Sequence, residues 1–314
     1  MRRTVVERQV LETRVGGLRL RSAVMTASGT SGHGAELAAY GPLADLGAVV
    51  VKSLAAHPWP GNDGMRVHGA AGGSMLNRVG LQGPGVAAWR ARDLPGLLAH
   101  GATVVASVWG GTAAEFAAAA AALLASGGEV TPGVVAVEVN VSCPNLSGHL
   151  FGHSPGGTAE AVGAAAGVLG RSGVPVWAKL SPAVPDICAI AAAALEAGAS
   201  GLTLVNTMPA MWVDVDDGRA PFAGGLSGPA LHPIAVRAVH DCRRAFPDAP
   251  IVGVGGVASG ADAAELLMAG ANAVQVGTAT FADPRAPWRV QTELARWCAR
   301  RKTTAEELSG AALG

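Results

Sequence analysis

The sequence predicts an α/β chain folded as a (β/α)8 barrel, and three observations carry that expectation. Short apolar runs recur as "SAVMTAS", "GAVVVKS", "TVVASVW", "VVAVEVN", "VPVWAKL", "GLTLVNT", "PIVGVGG" and "NAVQVGT". They are near-continuous, which suits parallel strands buried on both faces. Alanine-rich stretches of helical length separate most of them, for instance Ala113–Ser126, Asp186–Ala197, Pro229–Ala245 and Ala261–Ala269. Finally, the runs number eight, which favours a closed barrel of the TIM type over an open sheet.

Ahead of the barrel, "VLETRV-GG-LRLRS" sets two alternating runs around Gly16-Gly17, the pattern of an N-terminal β-hairpin with a tight glycine turn. Between the second and third strands, about Leu54 to Ala102, the chain is rich in Gly and Pro. That piece is too long for a simple connection and is expected to be an insertion carrying functional loops at the carboxyl face of the strands. A closing helix near Pro284–Arg300 and a short one capped by Thr304 in "TAEE" finish the chain. One domain spanning 1–314 accommodates all of this.

Half the residues are apolar and 15% are charged, enough for a sizeable core. The formal net charge is zero and no basic run appears, so electrostatics gives no argument for nucleic acid or an anionic membrane. The start, "MRRTVVERQVLETR", lacks the apolar segment of a secretory signal. Runs such as "ICAIAAAAL" fall short of the ~20 residues a membrane span requires. Cys143, Cys188, Cys242 and Cys298 are scattered, with no CxxC or Cys/His cluster, which fits a reducing cytoplasmic setting and no metal held by this chain.

In such barrels chemistry sits at the carboxyl ends of the strands. The chain has 20 arginines and three lysines, yet Lys52 ends "GAVVVK" and Lys179 ends "VPVWAK", so both positions call for a compact ammonium. Four of the six asparagines fall on comparable ground: Asn77 in "MLNRVGL", Asn140 and Asn145 in "VNVSCPN", and Asn206 in "TLVNT". Carboxamides both donate and accept, which suits a polar heterocycle with alternating C=O and N–H groups. Cys143, between two of these amides, is the natural reactive group, able to act as a general base once substrate excludes water. Gly148, Gly152, Gly156 and Gly157 follow it, so this segment is expected to move as a lid. Cys188, Cys242 and Cys298 fall on expected helices and read as small buried apolar residues.

The carboxyl-terminal third offers a phosphate site. Gly255-Gly256 follow the seventh strand and Gly277-Thr278 the eighth, where barrels often hold that group and glycine lets backbone N–H groups approach it. Gly224-Gly225 and Gly228 in "AGGLSGPAL" read as a further flexible approach to a phosphate.

Together these residues resemble the dihydroorotate dehydrogenases. The motifs span nearly the whole chain: "ASGTSGHG", "VVVKS", "MLNRVGLQGPG", "VNVSCPN", "FGHSP", "WAKLSP", "LVNT", "GGLSGPALHPIAVRAV", "GVGGVASGADAAELLMAGA" and "VQVGTATFADP". Cysteine at the base position resembles the soluble class 1, and "HLFGHSP" resembles the loop of its two-subunit, NAD-linked type, class 1B. The resemblance implies a flavoprotein of pyrimidine biosynthesis that oxidises (S)-dihydroorotate to orotate. Cys143 would take the C5 proton while hydride passes from C6 to N5 of FMN. It also implies a homodimeric core and, for the 1B type, a partner subunit carrying FAD and a [2Fe–2S] cluster. Lys52, Asn77, Gly80, Leu81, Asn140, Asn145, Asn206 and Thr207 would hold the substrate. Ser28, Gly29, Lys52, Ser53, Ser107, Asn140, Lys179, Val205, Gly228, Gly255, Gly256, Gly277 and Thr278 would contact FMN.

The chain departs from that pattern at two positions. Ser107 stands where the family usually shows asparagine, and Ser53 replaces the more usual threonine. Two other readings therefore stay in view. One is a related FMN barrel acting on another dihydropyrimidine. The other is a flavin-free barrel enzyme in which Lys179 forms a Schiff base.

Overall fold

The computed structural model describes residues 10–142, 151–216, 218 and 222–314. Numbered in chain order, its strands fall into three groups. The hairpin is β1 (Thr13–Val15) with β2 (Leu18–Leu20). The barrel strands are β3 (Val24–Thr26), β4 (Val49–Val50), β7 (Val104–Val108), β8 (Val134–Asn140), β9 (Val176–Leu180), β10 (Gly201–Leu204), β13 (Ile251–Val254) and β14 (Ala273–Val276). A further antiparallel sheet is formed by β5 (Val67–Gly69), β6 (Met75–Asn77), β11 (Met208–Trp212) and β12 (Phe222–Ser227).

All eight apolar runs are barrel strands, in the order β3-β14-β13-β10-β9-β8-β7-β4, paired in parallel. The remaining seam, between β3 and β4, is closed by sparser bonds. Thr26 N donates to Ala48 O at 3.1 Å and Gly47 N to Val24 O at 2.8 Å. Side chains finish the seam: Val50 N donates to Thr26 Oγ1 at 3.0 Å, and Ser31 Oγ to Val50 O at 3.0 Å. The backbones come so close here that a Cβ on Gly47 would lie 2.1 Å from Ser22 O. Backbone cannot yield as a side chain can, so Gly47→Ala is expected to destabilise the fold by about 3 kcal/mol, the upper end for overpacking. A shift of the urea midpoint at unchanged slope measures it.

Inside the barrel, side chains repeat every second residue. Met25, Val50, Val105, Ala136, Trp177, Val252 and Ala273, one from each of seven strands, cluster with Val15 and Leu20 of the hairpin. The eighth strand contributes Gly201 because Trp177 fills its space; a Cβ there would lie 3.1 Å from Trp177 Cδ1. The hairpin covers the amino end, as Thr13 Oγ1 donates to Asn272 O at 2.6 Å just before β14. The apolar floor is therefore sealed and the carboxyl end is left for chemistry.

The helices run close to expectation. Ile187–Glu196 is capped by Asp186, whose carboxylate accepts from Cys188 N and Ala189 N. Ala305–Leu308 carries the capping box of Thr304 and Glu307, and the closing helix is Ala286–Arg301. Three expectations need correction. The helix of the third connection is Ala113–Ala122, shorter than read, because Leu124 leaves it to bridge with Val130. Pro229–Leu231 forms a 3-10 turn before the helix His232–Ala245. Of the expected lid glycines, Gly156 and Gly157 lie in the first turn of the helix Pro155–Leu169, capped by Ser154. Gly152 is anchored by its N–H to Val141 O at 2.9 Å; Gly148 lies outside the described residues.

Candidate active site

Two residues above the apolar floor, the same inward face turns polar. It carries Lys52, Ser107, Glu138, Lys179, Thr203 and Gln275 from strands or their ends. At the ends of β8, β9 and β10 the side chains form one hydrogen-bonded network. Asn140 Nδ2 donates to Ser53 Oγ at 3.1 Å, and Ser53 Oγ lies 2.9 Å from Ser107 Oγ. Asn206 Nδ2 donates to Asn140 Oδ1 at 3.2 Å and to Ser142 Oγ at 3.1 Å. Ser142 in turn donates to Lys179 O at 2.9 Å, and Asn206 Oδ1 accepts from Thr207 N at 2.8 Å. Lys179 Nζ donates to Ser28 Oγ at 3.0 Å and stands 3.4 Å from Glu138 Oε1. Seven of the expected site residues thus share one connected system: Ser28, Ser53, Ser107, Asn140, Lys179, Asn206 and Thr207.

Asn77 and Thr207 meet around Gly225 of β12. Asn77 Nδ2 donates to Gly225 O at 3.2 Å, and a Cβ on Gly225 would lie 2.0 Å from Thr207 Oγ1. This corrects the expectation for Gly224-Gly225. They are strand residues whose missing side chains let β6, β12 and the end of β10 pack closely, not a flexible approach to phosphate.

Gly228, by contrast, does belong with the expected phosphate loops. A Cβ on Gly256 would lie 2.9 Å from Gly228 O, and one on Gly228 would lie 3.3 Å from Thr278 Cγ2. Gly228, Gly255 and Gly256 have φ of 91°, 139° and 69°, conformations that a β-carbon would strain. Gly277 sits against Ala27 and Thr30, which brings the loop of Ser28 and Gly29 to the same place. Val205 is buried and donates its N–H to Val254 O at 2.7 Å, fixing the end of β10 against β13.

Gly80 and Leu81 occupy a turn of the Leu54–Ala102 insertion in which both take left-handed φ, 73° and 60°. For Leu81 that conformation costs about 1 kcal/mol, a strain typical of ligand-contacting loops. The turn is held by Trp59 Nε1, which donates to Gly80 O at 3.0 Å. Lys52 N donates to Gly32 O at 3.0 Å, which ties the end of β4 to the loop after β3. His33 of that loop is a neighbour the sequence reading did not single out. Burial, and next the Lys52 ammonium, push its imidazole below the usual histidine range.

Cys143 and Asn145 lie outside the described residues. Asn140 and Ser142, which lead directly into Cys143, are in the network. Cys242 and Cys298 are fully buried, where burial raises their thiols, to about 11 for Cys298; Cys188 is half-buried. They fit the apolar role expected of them. Sequence reasoning also passed over Ser142, Glu138 and Gln275. The available signal for the last two was a polar side chain inside an otherwise apolar run, on the inward face.

The Schiff-base reading fits this geometry poorly. A nucleophilic lysine is activated by apolar burial or a neighbouring cation, whereas Lys179 stands 3.4 Å from the Glu138 carboxylate.

Known proteins match the chain over most of its length. The family model described as dihydroorotate dehydrogenase matches residues 10–297. Three similar proteins, each named dihydroorotate dehydrogenase B (NAD(+)), catalytic subunit, cover most of the chain. The Geobacter sulfurreducens protein is 42% identical over 294 residues, 92% of this chain and 93% of its own. That of Desulforudis audaxviator is 43% identical over 288 residues, covering 90% and 91%. That of Citrifermentans bemidjiense is 40% identical over 302 residues, covering 95% and 96%.

Proposed function

The chain belongs to the dihydroorotate dehydrogenase family, and on that premise we propose that it oxidises (S)-dihydroorotate to orotate in pyrimidine biosynthesis with FMN as its cofactor. The observation that carries this reading is the convergence of Asn140, Asn206, Ser142 and Lys179 at adjoining strand ends. Amides there can match a ring of alternating donors and acceptors, while the ammonium can meet negative charge.

The residues present fit a flavin phosphate. Among the described residues, the backbone N–H groups of Gly256, Gly277 and Thr278 donate to no protein acceptor, and their loops converge. Such N–H groups at glycine-rich strand-end loops bind phosphate oxygens. Above Gly29 a Cβ would meet nothing within 4 Å, which leaves space beside Ser28 and Lys179. Ser53 and Ser107, the two positions that depart from the family pattern, bond each other, so the paired hydroxyls stand in the flavin-contacting place together.

FMN when bound supplies the acceptor for hydride from substrate C6. This chain's residues do the rest. Cys143 takes the C5 proton, Asn77, Asn140, Asn145, Asn206 and Thr207 orient the pyrimidine and its carboxylate, and Lys179 balances charge on the ring. Lys52, with Gly80 and Leu81, closes the substrate side. The same proposal takes residues 1–314 as one barrel domain, homodimeric and cytoplasmic, that passes electrons to a separate FAD and [2Fe–2S] subunit. Support comes from the relatives' name, catalytic subunit. Among the described residues no helix is long and apolar enough to cross a membrane.

Colour and bleaching test the reading. The purified protein is expected to be yellow, to release FMN on denaturation, and to bleach without oxygen when dihydroorotate is added, but not with dihydrouracil. A colourless protein that FMN cannot reconstitute would refute the flavin assignment, and bleaching by dihydrouracil would transfer the activity to another dihydropyrimidine.

A further inference from the structure

Beneath the amide network lies a charged brace that the proposed chemistry does not use. Glu138 of β8 and Gln275 of β14 are fully buried, and Lys179 of β9 is 3% exposed. Gln275 Nε2 donates to Glu138 Oε2 at 2.9 Å. Three strands separate β8 from β14 in the sheet order, so this bond crosses the barrel interior. The other carboxylate oxygen, Oε1, stands 3.4 Å from Lys179 Nζ, at ion-pair distance but without hydrogen-bond geometry. Lys179 Nζ reaches on to Ser28 Oγ in the loop after β3. An ammonium has three donors; among the described residues the bond to Ser28 uses one of them.

A carboxylate in a dry barrel interior costs several kcal/mol unless paired, so an apolar residue would serve packing better. The pairing partner, Lys179, is the cation to which the proposed function gives the task of balancing charge on the flavin ring. We propose that Glu138, oriented by Gln275, is the counter-ion that holds the Lys179 ammonium in place at the barrel mouth, and thereby sets the reduction potential of the bound flavin. This rests on the flavin reading above and deepens it. Glu138 and Gln275 are positioning residues, because they act through Lys179. Without the carboxylate, a buried ammonium lacks its counter-charge and withdraws toward water, and reduced flavin, which carries negative charge, loses its stabilising partner.

The test is dye equilibration of the FMN-loaded protein, preceded by the colour check on the wild type. A colourless wild type would refute the flavin reading itself, before any variant is compared. In Glu138→Gln the reduced-to-oxidised ratio at a fixed dye potential is expected to fall at least about tenfold, equivalent to about 30 mV for two electrons. Lys179→Met is expected to shift it the same way, and the double variant no further than Lys179→Met alone. An unchanged or higher ratio in flavin-loaded Glu138→Gln would overturn the proposal, as would additive shifts in the double variant. Should Glu138→Gln not fold, Gln275→Leu keeps both charges but frees the carboxylate. It is expected to lower the ratio about threefold, and an unchanged ratio overturns the proposal equally.

Discussion

Cys143→Ala is expected to keep FMN bound and to reduce it about a thousandfold more slowly when dihydroorotate is added. General acid–base catalysis contributes roughly 10²- to 10⁴-fold, and Cys143 is the group to which the proposed function gives the C5 proton. Asn140 and Asn206 are amides, and the Lys179 ammonium is engaged by Glu138 and Ser28. The proposed phosphate loops after β13 and β14 and the serine pair Ser53–Ser107 are on other elements. Removal of a thiol should therefore leave cofactor content and the oxidised spectrum unchanged. Anaerobic stopped-flow absorbance separates these effects. Slow bleaching with full flavin content and near-normal orotate binding supports a base, whereas bleaching at the wild-type rate removes Cys143 from the chemistry. Loss of flavin along with activity would make its role structural.

The barrel was legible in the sequence for a physical reason. Parallel strands covered on both faces must be apolar at almost every position, and all residues of β7, β9, β10, β13 and β14 are buried. The four-stranded sheet at the mouth escaped notice. Met208–Trp212 alternates only between half-buried and exposed, and Phe222–Ser227 contains two glycines. Its pairing joins Asn77 to Gly225, 148 residues apart, which no local pattern records. The candidate site is read through residue types at strand ends, which singles out Asn140, Asn206 and Lys179, and these adjoin in the structure. Glu138 was hidden by its own strand, since "VVAVEVN" reads as apolar although its glutamate faces inward two residues before Asn140. Ser142 acts by bridging Lys179 O and Asn206, a role that depends on tertiary contact alone.

Asn140→Ala is the second substitution with a large expected effect, because one side chain serves three neighbours. Its Nδ2 donates to Ser53 Oγ, while its Oδ1 accepts from Asn206 Nδ2 and from Ser142, the residue leading into Cys143. Truncation removes one bond from each of those groups in a buried place, at a cost of about 1–3 kcal/mol in stability. It also removes an amide from the substrate ring, and small misplacement of reacting groups is amplified in rate. We expect kcat/KM for dihydroorotate to fall about a thousandfold. Ser107→Ala, which breaks only the bond to Ser53, should cost less than about 1 kcal/mol and little activity. Asn206→Ala should approach Asn140→Ala in effect. Because the two amides bond each other, the double variant should lose less than the sum of the two, with a coupling of about 0.5–3 kcal/mol in transition-state free energy. Strict additivity would mean that the amides act on separate things. The shared recognition of one ring would then have to be abandoned, even if each single variant were inactive.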